Sequence, residues 1–278
     1  MRFKLIFILF NFVILVSFLA IYFMPLIMLG FDYAKVFWGR NWGLPLLFLA
    51  IIGLLNTYFI FNWRLFTLLE REDWPQLITY LERRIYEKRL FVSQHVKILA
   101  NAYLVRSDLD AIGKLEDFIA EHKPNLQPRF ALVFGVPYLL RNDPDEMERY
   151  FSRFVDYNGR DGSWLRWSYA FALILGGKKE EAEATLADIC KEKTEPVLML
   201  LSAYLLHSIR PAADHVPLME ENRARLEKRY TRDQWTREVE RSKTSVHVVI
   251  LQKLIEEATE WLFAANRADE ENTERRMH

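Results

Sequence analysis

The chain has 278 residues, with 37 basic and 37 acidic side chains, 51% hydrophobic residues and one cysteine, Cys190. Balanced charge excludes a general nucleic-acid binder, whose phosphate affinity rests on concentrated positive charge. A single cysteine excludes an internal disulfide and a cysteine-built zinc site.

The charge is unevenly placed. Residues 1–63 hold four bases (Arg2, Lys4, Lys35 and Arg40) and one acid, Asp32, which leaves 33 bases and 36 acids, a net charge of −3, in residues 64–278. Leu5–Leu29 is diluted only by Asn11, Ser17, Tyr22 and Pro25, and residues 44–61 form a second apolar run. Each approaches the roughly 20 apolar residues that cross a bilayer core. The first run is too long for a signal-peptide core, and no small-residue cleavage site follows it. Trp38, Trp42 and Trp63 sit where indole rings favour the headgroup level. Residues 1–63 therefore read as a transmembrane hairpin, an integral membrane anchor with spans at about 5–29 and 44–63.

Lys35 and Arg40 lie in the connection, whereas Arg64, Arg71, Arg83, Arg84, Lys88 and Arg89 follow the second span. The positive-inside bias places both termini and the soluble domain in the cytoplasm. Asn11 and Asn56 fall at similar depth in such a hairpin and are candidates for an intramembrane contact, worth about 0.6 kcal/mol. The alternative is that each amide bonds its own backbone or a partner subunit. Gly53 permits close approach of the two helices.

Beyond the second span a 35-residue echo appears. Ala100, Gly135 and Ala170 occupy equivalent places late in apolar helical stretches, each followed by a turn and a more polar helix. The turns carry Ser107 and Asp108, then Asn142, Asp143 and Pro144, then Gly176 and Gly177, which is helix-stop and helix-start chemistry. Projected backwards, residues 73–89 become a second helix and residues 62–71 its partner, so the span is expected to run stiffly into the repeats, a flexible linker being the alternative. No Gly, Pro or Ser cluster interrupts the stretch between Pro45 and Trp74.

These residues resemble the tetratricopeptide repeat family over roughly residues 90–195. The family's small first-helix residue would be Ala100, Gly135 and Ala170, and its tyrosine three places later Tyr103 and Tyr138, with Leu173 in the third copy. Ala182 matches the small residue opening the second helix, where Ile112 and Met147 stand in the other copies. Pro124 matches the closing proline, replaced later by Gly159 and Thr194. The resemblance implies an α-solenoid of tetratricopeptide-like helix pairs, taken over residues 64–210, so that with the two transmembrane helices and charged C-terminal helices over 211–267 capping it the expected fold is all-α. The layout is also similar to HemY-type bacterial membrane proteins, which implies a bacterial inner membrane.

In that family the inner surface comes from first-helix positions, here Gln94, Lys97 and Asn101, then Arg129, Leu132 and Val136, then Trp164, Trp167 and Phe171. The last three form one aromatic stripe at helical spacing. They can anchor a partner peptide or pack beneath the C-terminal helices, and that segment can also sit in the groove as a self-ligand. After Ile209, breakers at 210–217 precede charged helical stretches at 218–241 and 244–267. In the second, Val246, Ile250, Leu254, Ala258, Trp261 and Ala265 are expected to form the packing face. Residues 268–278 read as a frayed or disordered tail.

No catalytic constellation stands out. The six histidines lack metal-ligand spacing, and Asp108, Asp110, Asp143, Asp145 and Glu146 lie at predicted helix starts, where acids cap and complement the helix dipole. No phosphate loop or nucleophile elbow is present. No cofactor, metal or enzymatic activity is expected. The expectation is a membrane-anchored interaction scaffold binding protein partners through the groove, with self-association open. The alternative is an accessory subunit of a larger secretion, envelope-synthesis or motility complex, held through its hairpin.

Overall fold

The computed structural model describes residues 3–192, 194–209, 214–243 and 245–264, and every regular element among them is helical. Arg2, the breaker at 210–213, Ala265 and the tail at 268–278 lie outside the described residues. By internal contacts the chain divides into two compact units, 1–95 and 96–278.

In the first unit, α1 (Phe3–Leu29) and α3 (Gly43–Phe61) contain the two segments long and apolar enough to cross a membrane, and neither segment has a buried residue. Between them lies α2 (Phe31–Arg40), a helix where the sequence suggested only a connection. Gly30, at φ 82°, turns the chain out of α1, and Asp32 and Arg40 then complement the dipole of α2 at its two ends. Trp38 Nε1 donates to Tyr22 O at 3.1 Å, and the two rings stack 5.8 Å apart, tying α2 back onto α1.

Only Asn62 separates α3 from α4 (Trp63–Glu70). Its N–H still donates to Tyr58 O (3.2 Å) and its carbonyl accepts from Phe66 N (3.0 Å), so the hydrogen-bond ladder runs through the junction. α5 (Trp74–Glu82) packs against α4, ends in a π-helical turn at Arg83–Glu87, and buries Leu77, Ile78 and Leu81.

A shared turn recurs along both units. Glu72, Ser107, Asn142 and Gly177 all have φ between 50° and 80°, and each is 35 residues from the next. Asp73 N bonds Leu68 O, Asp108 N bonds Tyr103 O, and Lys178 N bonds Leu173 O, the six-to-one closure of a left-handed helix stop. Asp73, Asp108 and Asp143 then cap the following helices by accepting from Gln76 N, Ala111 N, and Asp145 N with Glu146 N. The acids that looked like paired carboxylates thus include two helix caps, Asp108 and Asp143.

Helix α6 (Ser93–Val105) crosses the boundary. The second unit continues with α7 (Leu109–His122), a 3₁₀ turn (Pro124–Arg129), α8 (Ala131–Phe134), α9 (Val136–Arg141), α10 (Pro144–Phe151), α11 (Gly162–Leu175), α12 (Lys179–Lys191) and α13 (Pro196–Ile209). From α10 to α13 each helix packs on the next. The repeat positions Ala100, Ala170, Ile112, Met147 and Ala182 are all fully buried. At Gly135 a Cβ would lie 2.6 Å from the Phe151 ring, so this close approach requires glycine.

The first C-terminal stretch is two helices, α14 (Val216–Arg229) and α15 (Arg232–Ser242), because Thr231 and Gln234 close a capping box. The second is α16 (Val246–Ile250) and α17 (Gln252–Leu262). Their buried line runs Leu251, Ile255, Ala258 and Leu262, whereas Ile250, Leu254 and Trp261 are only half-buried. The break at Leu251 shifts the packing face from the one expected. Helix α17 packs on α13 and α14, and α16 reaches back to α8.

Candidate functional site

The second unit contains a cavity of about 170 Å³ that gathers residues from four separate parts of the chain. Lys97 and Asn101 come from α6, Arg129 from the 3₁₀ turn, Leu132 from α8 and Val136 from α9. These are the inner-surface positions that the tetratricopeptide resemblance implies. Asp161 supplies a carboxylate, 3.4 Å from Lys97 Nζ. The remaining wall is Ser245, Val246 and His247, at the start of α16, so the C-terminal segment lies against these positions, one of the arrangements the sequence left open.

The aromatic stripe lies behind that wall. Trp164 and Trp167 are buried, at 4% and 0% exposure, and Phe171 is half-buried. Trp164 meets the His247 ring at 4.3 Å and donates from Nε1 to Glu195 Oε2 at 3.2 Å. Trp167 stacks on Phe171 at 5.3 Å. The two tryptophans therefore pack inside the unit, with the C-terminal segment across Trp164, while Lys97 and Arg129 remain exposed at the mouth. Burial pushes the His247 imidazole down to about 4, with Asp161 opposing the shift and Lys97 reinforcing it. Its Nε2 is buried without a hydrogen-bond partner among the described residues. A neutral ring on an indole face is the arrangement such burial selects.

The cavity can bind and orient, since it offers two cations, an amide, an apolar floor and a carboxylate in an open cleft. Among the described residues no group of three or more His, Cys, Asp or Glu side chains gathers to hold a metal ion. Glu116, the buried carboxylate, is held by Arg153 at 2.8 Å and Gln127 at 3.3 Å, and desolvation raises its pKa. It is committed to packing beside Tyr150, over which Arg153 stands at 4.7 Å.

The structure also brings Asn11 and Asn56 together. Asn56 Nδ2 donates to Asn11 Oδ1 at 2.8 Å, while Asn11 Nδ2 donates to Phe7 O and Asn56 Nδ2 also to Ile52 O, both at 2.9 Å. The two amides thus bond their own helices and also each other between α1 and α3.

The protein family described as "Uncharacterised Treponema protein" matches residues 111–264. This segment contains Arg129, Leu132, Val136, the aromatic stripe and the 245–247 wall. A protein of Treponema pallidum (strain Nichols), described as an uncharacterized protein, is 30% identical over 231 residues, covering 78% of this chain and 74% of the relative. No solved structure matches the chain.

Proposed function

This chain belongs to the family of uncharacterised Treponema proteins, and on that premise we propose that it is a membrane-anchored interaction scaffold with no chemistry of its own. The two spans hold tetratricopeptide-like helix pairs at the cytoplasmic face of a bacterial inner membrane, with both termini in the cytoplasm. The Lys/Arg excess after the second span supports that orientation, and the 35-residue recurrence of helix-stop turns supports the repeat reading. The observation that carries the function is the cavity itself. Positions that line the inner surface of such repeats converge with a turn of the chain's own C-terminal segment, Ser245–His247 at the start of α16, already seated against them. A groove that accepts this segment has the shape and chemistry to accept a short partner segment beside it.

Photo-crosslinking from position 129 in cells tests the reading, with exposed position 117 as control. A defined protein captured from 129 and absent from 117 is the expected result. No capture, or the same proteins from both positions, overturns it.

A second reading, an accessory subunit held through its spans, has one observation in its favour. A crevice of about 280 Å³ opens between α1, α2 and α3, walled by side chains such as Phe18, Tyr22, Phe37 and Phe48. An apolar side chain of a neighbouring span would fill it. Leu47→Trp would then release the protein from its complex, whereas a groove scaffold would keep its partner.

A further inference from the structure

The C-terminal helices leave a second concave surface that shares no lining residue with the Lys97–His247 cavity. Helices α15 and α17 run antiparallel: Arg232, opening α15, pairs with Glu260 near the end of α17, and Trp235 Nε1 donates to Thr259 Oγ1 at 2.9 Å. Between them lies a cleft of about 520 Å³, within the range of sites that bury a ligand. Its floor is apolar, built from Trp235 and Ile255, at 1% and 2% exposure, and half-buried Val239.

Its rim is acidic. Glu240, Glu256, Glu257 and Glu260 border the cleft against one cation, Lys243. Glu240 is tied to Lys243 and Glu260 to Arg232. Glu256 accepts from Gln252 at 2.8 Å and Glu257 from the Tyr204 hydroxyl, and neither carboxylate has a cationic partner among the described residues. Two antiparallel helices separated by an apolar trough form the bed that a third helix fills by ridge-into-groove packing. At 1.5 Å per residue the 11 residues of α15 offer about three turns of contact. Carboxylates without a cationic partner on one lip select a helix with positive flanks and repel one with negative flanks.

We propose that the α15–α17 cleft docks an amphipathic helix of a partner protein, its aliphatic ridge on Trp235, Val239 and Ile255 and its Lys or Arg residues against Glu256 and Glu257. This reading is independent of the groove function, because either surface can fail its test without touching the other.

The test uses the full-length protein in phosphatidylcholine nanodiscs, with empty nanodiscs as background. The probe is a fluorescent 18-residue helical peptide with Leu at i, i+3, i+4 and i+7 spacing and Lys elsewhere. Saturable binding above background is expected, weakening with salt and falling at least tenfold both in the Glu256→Lys/Glu257→Lys double variant and in Val239→Glu. The double variant should also gain binding to the same peptide written with Glu for Lys. Binding no greater than to empty discs, or unchanged in both variants, overturns the proposal. Equal binding of the Lys and Glu peptides overturns it by making the cleft an unselective apolar surface. Self-association of the protein that the same variants abolish overturns it by seating a second copy there.

Discussion

Helices α1 and α13 are both strongly apolar, yet they dispose of that surface in opposite ways. In α13, 14 residues long, Val197 to Leu201, Ala203, Leu205 and Leu206 are all buried by neighbouring helices. In α1, 27 residues long, the apolar segment has no buried residue. Length decides the fate: 14 residues reach about 21 Å, short of a bilayer core of about 30 Å, while 27 residues exceed it. A helix apolar all round needs a solvent, and the chain supplies protein for α13 while leaving the apolar segment of α1 uncovered, long enough for a bilayer to take that place.

The sharpest break of this comparison is Trp167→Ala. It opens a void in a protein-packed core and should cost about 3–5 kcal/mol of stability, whereas Phe10→Ala on α1, at 47% exposure, should cost far less in a lipid environment. Denaturant unfolding in nanodiscs, followed by circular dichroism, measures both.

Next is pH. The folded pKa of His247 lies near 4, below its ordinary 6.5, so the unfolded chain binds the extra proton between these values. Its contribution to stability is complete above about pH 6.5 and is lost as pH falls towards 4, in total about 3 kcal/mol. Subtracting the profile of His247→Phe from that of the wild type should isolate this slope, and no such histidine lies in the spans.

Gly135→Ala sharpens the contrast at smaller scale. Its Cβ meets the Phe151 ring at 2.6 Å and should cost about 1–3 kcal/mol, while Gly53→Ala, with nothing within 4 Å, should be neutral. Smallest is the Asn11–Asn56 contact. A double-mutant cycle with Asn→Leu at both positions should return a coupling near 0.6 kcal/mol.

The two long apolar helices were legible because an uninterrupted run of some 20 apolar residues marks them, and the recurring turns because stop and start residues return at a fixed interval. The tetratricopeptide resemblance named Lys97, Asn101, Arg129, Leu132 and Val136 as inner-surface positions, and these five line one cavity. Helix α2 was missed although Gly30, Asp32 and Arg40 punctuate it, and the α14–α15 break was missed although Thr231 and Gln234 spell a capping box. Those signals are local and readable. The wall at Ser245–His247 is different in kind, because it lies more than 100 residues from Arg129 and depends on tertiary return of the chain. For the same reason the spacing of Trp164, Trp167 and Phe171 could define a face but not say what covers it.

The central claim is that the two spans hold the helical unit on the cytoplasmic side of a membrane. Cys190 is buried and its thiol is pushed up to about 12, so the native cysteine leaves thiol labelling silent. Single cysteines at exposed positions Val36, between the spans, and Lys123, in the helical unit, can then be probed in intact cells with a membrane-impermeant maleimide that reaches the outer face of the inner membrane. The account predicts labelling of Val36→Cys at once and of Lys123→Cys only after the membrane is permeabilised. Labelling of both in intact cells, or of Lys123→Cys alone, would contradict it.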